Sequence, residues 1–476
     1  MAGSVPQGKD AVGPASRRYH IAHMVSGQLH PCLRPRGYAH FDRAPTPAFA
    51  LQYVSDPQCV APHAFWPFLR YTKKSPRFDK DPATDKRSFL KIKPRPISYA
   101  AHLDSHIYEK YAADLSALLE SRYTNPFGRS VLAYRRHSPP RNNVHFAVAA
   151  FEEIKSWDDC DVIALDVEDF FGSLNHELLK AAWISLLESG STLPDDHYAV
   201  YRAITRYSWI DRATVRELLR RDIPRRRTSI GERICTPKEF RTHLRPKIEK
   251  NCAGKGIPQG SPISAVLANL YMLESDARLY DQLASMGATY RRYSDAIFVI
   301  SPPCCGVQVE RAVVDELQRV RLTVQGQKTV RVAFRRDGER QTALRLTPAG
   351  VIESRPVALQ YLGLIWDGRA LRLRSATLGR FLRRMVRAIR GAEAAARRTG
   401  STRLRRRKLY RKFSHLGRSV RIFGPQPQRR ARNRNFLHYA IMAARVSNSP
   451  EIRRQVGRQW ARLESEIARA EQRLRA

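Results

Sequence analysis

The chain has 476 residues and carries 84 lysines and arginines against 44 aspartates and glutamates, which gives a formal net charge of +40. Its hydrophobic content of 43% is ordinary for a globular protein. So large a positive excess predicts nucleic acid as the partner, because every phosphate that a lysine or arginine neutralises releases a counterion. No apolar run is long enough to cross a bilayer, and the first twenty residues lack the apolar core of a signal peptide.

The cysteines argue against a disulfide framework and against a zinc ribbon. There are seven, an odd number, and none of them forms a CxxC pair. This pattern predicts a reduced, cytoplasmic environment, whereas the lack of a long apolar run predicts no interaction with a membrane.

The N-terminal part of the chain gives weak periodic signals. Residues 1–18 are rich in Gly, Pro, Ser and Ala and predict a disordered tail. Residues 19–79 mix aromatic residues and prolines without a clear period, and we interpret them as a packed, mostly irregular N-terminal extension.

The central part alternates strand-like and helix-like segments. Apolar runs at 162–167 and 297–300 predict buried strands, and an apolar stretch at 261–273 opened by Ser and Pro predicts a helix. Residues 309–320 have the spacing of an amphipathic helix, and 322–325 are strand-like. Helices packed against a sheet imply an α+β fold.

Beyond about residue 365 the chain becomes helical and rich in arginine. Helices are predicted over 378–398, 403–416 and 450–476. In the last one Val456, Trp460, Leu463 and Ile467 form one apolar stripe. That stripe fits either packing on the chain's own domain or docking of a partner or nucleic acid, and the pattern does not separate them.

Three motifs carry chemistry. Asp166 lies at the end of the buried run 162–167, and a carboxylate there is costly unless a cation pairs with it. Asp295 lies between two strand-like segments, a pattern that predicts a hairpin with Asp295 at its tip. Carboxylates from two strands are what two-metal phosphoryl transfer requires, with ions roughly 4 Å apart. The third motif, GIPQGSPIS at 256–264, places glycines before a helix, where backbone can approach a ligand.

In their order and spacing along the chain, the segment at Asp166, the GIPQGSPIS loop and the segment at Asp295 resemble motifs A, B and C of reverse transcriptases, respectively. The resemblance covers roughly residues 89–378. The segments KPRPISYA at 93–100 and RYSDAIFVI at 292–300 resemble the bacterial abortive-infection and defence-associated branch. The resemblance implies a right-hand polymerase with fingers, a palm with an antiparallel sheet and a helical thumb. Fingers and palm would span 80–350, primer grip and thumb 351–420, and a basic helical extension 421–476.

The resemblance also implies residue roles. Asp166 and Asp295 would hold two Mg²⁺ ions, with Mn²⁺ as a substitute. By motif position, Lys91 and Arg95 would bind the triphosphate, with Lys93 an equal candidate to Lys91, Phe171 would be the gate against a ribose 2′ hydroxyl, and Gln259 would line the nucleotide pocket. Lys328 would be the acid that protonates pyrophosphate, or else a solvated surface lysine. Tyr361 and Gly363 would belong to the primer grip. Asp169 is left outside the metal set as a turn residue.

One position departs from the family pattern. The reverse-transcriptase box has a second aspartate after Asp295, and this chain has Ala296. The alanine is either an introduced replacement or a natural loss, and the otherwise intact motifs favour the first. We therefore expect a DNA polymerase of anti-phage defence, either RNA-directed or untemplated, whose metal affinity and turnover are sharply reduced in this chain by Ala296. The alternative is a non-catalytic scaffold that binds RNA or a partner polymerase, and a nuclease is a weaker third reading.

The expected partners are an RNA template or DNA product and dNTPs. A dedicated non-coding RNA, further copies of the chain and a second defence protein are also open. The sequence does not choose between a nucleic-acid 3′ end and a tyrosine hydroxyl as primer.

Overall fold

A computed structural model describes residues 36–80, 87–220, 233–415 and 435–476, together with 24–25, 28–29, 34, 223, 418–421 and 430–433. The predicted tail at 1–18 lies outside the described residues. The chain divides into two compact units, one of residues 1–124 with 169–273 and one of residues 125–168 with 274–476. Each unit is described by itself.

The helices and strands are numbered along the chain. The helices are α1 (Pro47–Ser55), α2 (Pro57–Val60), α3 (His102–Arg122), α4 (Asn143–Ser156), α5 (Phe170–Ser173), α6 (His176–Leu187), α7 (Asp195–Thr205), α8 (Arg212–Leu218), α9 (Pro237–Glu239), α10 (Ser264–Ser285), α11 (Gly306–Arg319), α12 (Ser375–Arg398), α13 (Arg406–Phe413), α14 (Phe436–Val446), α15 (Pro450–Gly457) and α16 (Gln459–Arg475). The strands are β1 (Met24–Val25), β2 (Gln28–Leu29), β3 (Phe68–Lys80), β4 (Arg87–Tyr99), β5 (Cys160–Asp166), β6 (Ser208–Asp211), β7 (Glu249–Lys250), β8 (Thr289–Tyr293), β9 (Ala296–Ser301), β10 (Val330–Asp337), β11 (Arg340–Leu346), β12 (Ile352–Pro356), β13 (Leu359–Tyr361), β14 (Leu364–Trp366), β15 (Leu371–Leu373), β16 (Arg418–Arg421) and β17 (Arg430–Asn433).

The first unit contains a four-stranded sheet in the order β4-β3-β6-β7. The antiparallel pair β3 and β4 runs from Leu69 opposite Tyr99 to Lys80 opposite Arg87, and only residues 68–70 of β3 also pair with β6. The expectation of largely irregular structure over 19–79 is wrong for its described part, which contains α1, α2 and β3. Thr46 and Asp56 each cap a helix that begins with proline, a local signal that apolar periodicity does not reveal.

The second unit is built on a six-stranded sheet in the order β12-β11-β10-β5-β9-β8, with every pair antiparallel. Strand β5 lies inside this sheet, and Val162, Ile163 and Leu165 are buried, as the run at 162–167 predicts. Strand β9 confirms the prediction at 297–300. The predicted combination of helices with antiparallel sheets is therefore confirmed.

Two segment predictions need correction. The helix predicted over 261–273 is α10, which begins at Ser264 and continues to Ser285. The predicted strand at 322–325 is wrong. It forms one isolated bridge between Val167 and Val324, and a 3₁₀ turn follows at Gly326–Lys328. The amphipathic helix predicted over 309–320 is confirmed as α11.

The C-terminal helices of the second unit pack around their own apolar core. Helices α12, α13 and α16 contribute buried side chains to it, including Phe381, Met385, Leu463 and Ile467. The stripe predicted on the last helix therefore packs on its own domain, although Trp460 remains 37% exposed. The predicted single helix over 450–476 is divided at Arg458 into α15 and α16.

Two buried carboxylates tie this helical region together. Glu393 of α12 accepts hydrogen bonds from Arg473 of α16, at 3.1 Å from Nε to Oε1 and 2.8 Å from Nη2 to Oε2. Glu471 of α16 accepts from the guanidinium of Arg406 of α13 and from the backbone N–H of Leu404.

In the part of the chain that the structure describes, no helix is long and apolar enough to cross a membrane.

Candidate active site

Asp166 ends strand β5 of the six-stranded sheet, and Asp295 lies in the turn that leads into the neighbouring strand β9. Asp166 is the last residue of β5 and is paired in register with Ala296, the first residue of β9. The backbone N–H of Val167 donates to the carbonyl oxygen of Asp295 at 2.9 Å. The side chain of Asp166 is about one-third exposed and Asp295 is exposed, so ligands in solution can reach both carboxylates.

The predicted hairpin around Asp295 is confirmed. Strands β8 and β9 are joined by the two residues Ser294 and Asp295, and Ser294 adopts a left-handed backbone with φ +63°. The buried guanidinium of Arg292 supports this turn by donating from Nη1 to the carbonyl oxygen of Ser294 at 3.0 Å. The turn is therefore held from inside the protein while Asp295 faces solvent.

The support of this turn continues into α10. Arg292 forms a bidentate ion pair with Asp276, and the hydroxyl of Tyr290 also donates to Asp276, at 2.7 Å. Burial, together with the Asp276 carboxylate, raises the pKa of Tyr290 well above its ordinary value. Sequence reasoning missed this network. The available signal was the alternation in β8, which puts Tyr290 and Arg292 on its buried face.

Lys328 lies at the same site. Its Nζ is 3.2 Å from Oδ2 of Asp166, and its side chain is about one-third exposed. The 3₁₀ turn that carries Lys328 is attached to β5, because the N–H of Gln325 donates to the carbonyl oxygen of Asp166 at 2.8 Å. The structure thus brings together Asp166, Asp295 and Lys328.

The predicted primer-grip residues form a separate tight hairpin in the second unit. Strands β13 and β14 are joined by Leu362 and Gly363, with φ of +44° and +95°. The side-chain amide of Asn143 donates to the carbonyl oxygen of Leu362 at 2.9 Å. Tyr361 packs its ring on Phe298 of β9, with ring centroids 4.2 Å apart, and burial raises the pKa of its hydroxyl.

In the first unit, the GIPQGSPIS loop is docked through its backbone. The N–H of Ile257 donates to the carbonyl oxygen of Phe171 at 2.8 Å, and the carbonyl oxygen of Gln259 accepts from the N–H of Ser98 at 2.9 Å. A Cβ on Gly260 would lie 2.5 Å from the carbonyl oxygen of Ser98, so this approach requires glycine. The loop therefore connects α5 with the end of β4.

The remaining nucleotide-binding candidates also lie in the first unit. Phe171 is partly buried, with its ring centroid 5.7 Å from that of Phe170. Arg95 is exposed on β4. Lys91 and Lys93 belong to β4, and their side chains lie outside the described residues. Asp169, left out of the metal set, precedes α5 with φ +39°.

Two carboxylates at this site, those of Asp166 and Asp295, could take part in holding a divalent metal. Among the described residues, no group of three or more His, Cys, Asp or Glu side chains is arranged to hold an ion. Mg²⁺ is commonly bound through one or two carboxylates together with water and substrate phosphates. Asp166 and Asp295 supply such oxygen donors, and Ala296 supplies none.

Comparisons with known proteins give a distant structural likeness. No family model and no curated protein matches the chain. Among solved structures, it is similar to apo telomerase from Candida tropicalis truncated from its C-terminal domain, with 11% identity, TM-score 0.39 and coverage of 64% of this chain and 54% of that one. It is also similar to telomerase from Candida albicans in complex with the TWJ fragment of telomeric RNA, with 13% identity, TM-score 0.35 and coverage of 69% and 50%.

A third structure, apo telomerase from Candida tropicalis, gives 14% identity, TM-score 0.37 and coverage of 65% and 48%. The chain thus spans about half the length of the solved structures that it matches. With identities and TM-scores this low, the likeness does not identify the chain.

Proposed function

We propose that the chain is a nucleotidyltransferase of reverse-transcriptase type, which adds dNTPs to a primer as an RNA-directed DNA polymerase. The observation that carries this proposal is the pairing of Asp166 with Ala296, which puts the carboxylate that ends β5 beside the turn bearing Asp295. The motif order supports it, because a nuclease would need the carboxylates but would have no use for the GIPQGSPIS loop.

In the proposed reaction, the 3′ oxygen of a primer forms a bond to the α-phosphorus of a dNTP, and the bond to pyrophosphate breaks. Asp166 and Asp295 would hold Mg²⁺, whose positive charge would favour ionisation of the attacking hydroxyl and offset charge on the leaving group. Lys328, already at the Asp166 carboxylate, would donate a proton to the departing pyrophosphate. Lys91 or Lys93 with Arg95 would contact the triphosphate, Phe171 would exclude a 2′ hydroxyl, and Gln259 would line the nucleotide pocket.

The experiment that tests this proposal restores the missing carboxylate. Ala296→Asp protein is supplied with Mg²⁺, dNTPs and several primer-templates, and product is measured on denaturing gels. We expect the aspartate variant to extend primers and the parent chain to extend them much more weakly. Ala296→Asn is the matched control, since it has nearly the same size without the charge, and Asp166→Asn in the restored background should abolish extension. No incorporation by Ala296→Asp on any template would contradict the proposal.

A second candidate, favoured by Ala296 itself, is a non-catalytic scaffold that binds RNA or a partner polymerase. The exposed arginines of α12 supply the nucleic-acid surface that this role requires. The two functions differ in whether the protein synthesises DNA. Robust polymerisation by the parent chain excludes the scaffold, whereas nucleic-acid binding by both the parent and Ala296→Asp, without synthesis by either, favours it.

The proposed setting is bacterial anti-phage defence in the cytoplasm. The template, the primer and any protein partner are best found by sequencing the nucleic acid that co-purifies with Ala296→Asp protein. A single recurrent RNA would support a dedicated non-coding template. Heterogeneous DNA without a complementary RNA would support untemplated synthesis.

A further inference from the structure

Tyr134 lies against the turn that carries Asp295, and its ring is exposed. Its hydroxyl is 3.0 Å from the hydroxyl of Ser294, the residue directly before Asp295. Ser294 is buried, whereas 46% of Tyr134 is exposed. The polar end of the tyrosine is therefore attached to the turn, and much of the ring is left open to solvent.

The backbone around Tyr134 is strained and firmly attached. Tyr134 has φ +63°, a left-handed conformation that is uncommon and strained for a bulky side chain. The preceding residues follow the edge of β8, with Leu132 N–H donating to the carbonyl oxygen of Arg292 at 2.9 Å and Arg292 N–H donating to that of Ser130 at 2.8 Å. Strained backbone of this kind clusters at functional sites and ligand clamps, which directs attention to function.

The chain that follows Tyr134 is basic and leads to the primer-grip hairpin. Arg136 and Arg141 are exposed, and neither forms an ion pair with any residue that the structure describes. Asn143, at the start of α4, donates to the carbonyl oxygen of Leu362 in that hairpin. Residues 134–143 therefore run from the turn bearing Asp295 to the predicted primer grip and present two cations along the way.

We propose that Tyr134 is a stacking platform for an unpaired base of a bound nucleic-acid strand, whose phosphates Arg136 and Arg141 contact. The proposal deepens the proposed function and rests on it, because it requires nucleic acid at this unit. Stacking of a base on an aromatic side chain contributes about 1–3 kcal/mol and tolerates any base. A ring already fixed by its hydroxyl loses little conformational freedom when a base stacks on it.

The test measures binding of a single-stranded oligonucleotide that contains 2-aminopurine, whose fluorescence falls when it stacks on a ring. The full chain and its variants are titrated at one salt concentration, and both the dissociation constant and the depth of quenching are recorded. Tyr134→Leu should weaken binding about fivefold to a hundredfold, which corresponds to the stacking contribution, and should remove the quenching. Tyr134→Trp should preserve both, and Tyr134→Phe should preserve the quenching.

A matched control and a folding check keep the result interpretable. Tyr198→Leu removes a similarly exposed tyrosine, 42% exposed, from α7 of the first unit and should leave binding unchanged. Thermal melting shows whether each variant is folded.

Three outcomes overturn the inference. If Tyr134→Leu binds and quenches as the parent chain does, the stacking role is wrong while the proposed function stands. If Tyr134→Phe loses as much binding and quenching as Tyr134→Leu, the hydroxyl bond to Ser294 is what matters, and Tyr134 positions the turn instead of stacking. If the parent chain binds no oligonucleotide, the inference and the proposed function fail together.

Discussion

Arg292 and Asp276 form a buried ion pair beneath the turn that carries Asp295, with side chains 1% and 0% exposed. Removal of one member of a buried pair leaves the other charged and without its partner in a low-dielectric interior. We expect Arg292→Met to lower the free energy of unfolding by about 3–5 kcal/mol, measured by urea denaturation. Arg311→Met, which breaks an exposed pair on α11, should have little effect. Equal midpoints for the two variants would contradict this role of Arg292.

Restoring the carboxylate at position 296 should make the stability of the protein depend on divalent metal. Cross-strand partners have Cβ atoms about 5 Å apart, so Ala296→Asp puts two like charges side by side, which destabilises by roughly 0.2–1 kcal/mol without a cation. Bound Mg²⁺ or Mn²⁺ should reverse the loss, by about 2.7 kcal/mol at a hundred times the dissociation constant. Differential scanning calorimetry with and without Mn²⁺ measures this. A metal-dependent shift of the same size in Ala296→Asn would contradict it.

Lys328 should compete with a metal ion for Asp166. Because its ammonium lies 3.2 Å from Oδ2 of Asp166, Lys328→Met removes a positive charge from beside this carboxylate. Both side chains are about one-third exposed and therefore screened, so we expect Mn²⁺ affinity to rise by about fivefold or less, as titration calorimetry would measure. Lys328→Arg retains the charge and should bind Mn²⁺ like the parent chain. A lower affinity in Lys328→Met would show that the lysine assists metal binding.

The exposed arginines of α12 should set the salt dependence of nucleic-acid binding. Arg380, Arg384 and Arg387 lie outside the apolar core of their helical region. Each lost phosphate contact should make the slope of log affinity against log salt shallower by about 0.7–0.9, so the triple change to glutamine should reduce it by roughly 2–3. Fluorescence anisotropy over a range of KCl concentrations gives this slope.

The control for that experiment is a second triple change of exposed arginines in the same unit, at Arg311, Arg319 and Arg340. It alters the net charge equally and should leave the slope close to that of the parent chain. Equal slopes for the two triple variants would mean that α12 acts only through overall charge.

His40 should make the stability of the first unit fall in acid. It is fully buried, its Nδ1 accepts from the N–H of Phe41 at 2.9 Å, and burial lowers its pKa from 6.5 to about 4. Between these two values the unfolded chain binds a proton that the folded one excludes, so stability falls as pH falls through that window. The loss attributable to His40 reaches about 3 kcal/mol near pH 4.

The pH effect is isolated by comparison with His40→Gln, with melting temperatures measured between pH 7.5 and 4.5. Burial raises the pKa of the neighbouring Asp42, but His102 and, to a smaller extent, His40 lower it below its ordinary value, so protonation of Asp42 also destabilises the fold in acid. The difference between the two curves is therefore the relevant quantity. Parallel curves would show that His40 does not titrate as its burial implies.

The strands and the hairpin of the site were predictable because they are local patterns. The apolar runs before Asp166 and after Asp295 are short, buried and bounded by polar residues, so their extended structure is determined within a few positions. The contact of Lys328 with Asp166 was suggested only by the resemblance, since 162 residues separate the two in sequence. The bridge at Val324 was mistaken for a strand because alternating residues do not reveal whether a partner strand is available.

The partners of the residues that support the site were not predictable from pattern, although the alternation in β8 indicates which of its side chains are buried. Arg292 in β8 is an arginine among many, and nothing in its neighbourhood shows that Asp276 on the preceding helix compensates its burial. Tyr134 is similarly inconspicuous, because its left-handed backbone and its bond to Ser294 depend on how 130–134 follows the sheet edge. Tertiary pairing determines these features, so they emerge only when the strands are assembled.

Helix α16 also determines how the protein can be handled in the laboratory. It covers Phe381 and Met385 and neutralises Arg406 through Glu471, so truncation before Gln459 would expose an apolar face flanked by uncompensated arginines. Such a fragment should aggregate, or bind anionic contaminants during purification, even though the carboxylate site is untouched. Shortened versions of the chain should therefore retain this helix. Because Ala476 is exposed, an affinity tag is better added after it than substituted for residues of the helix.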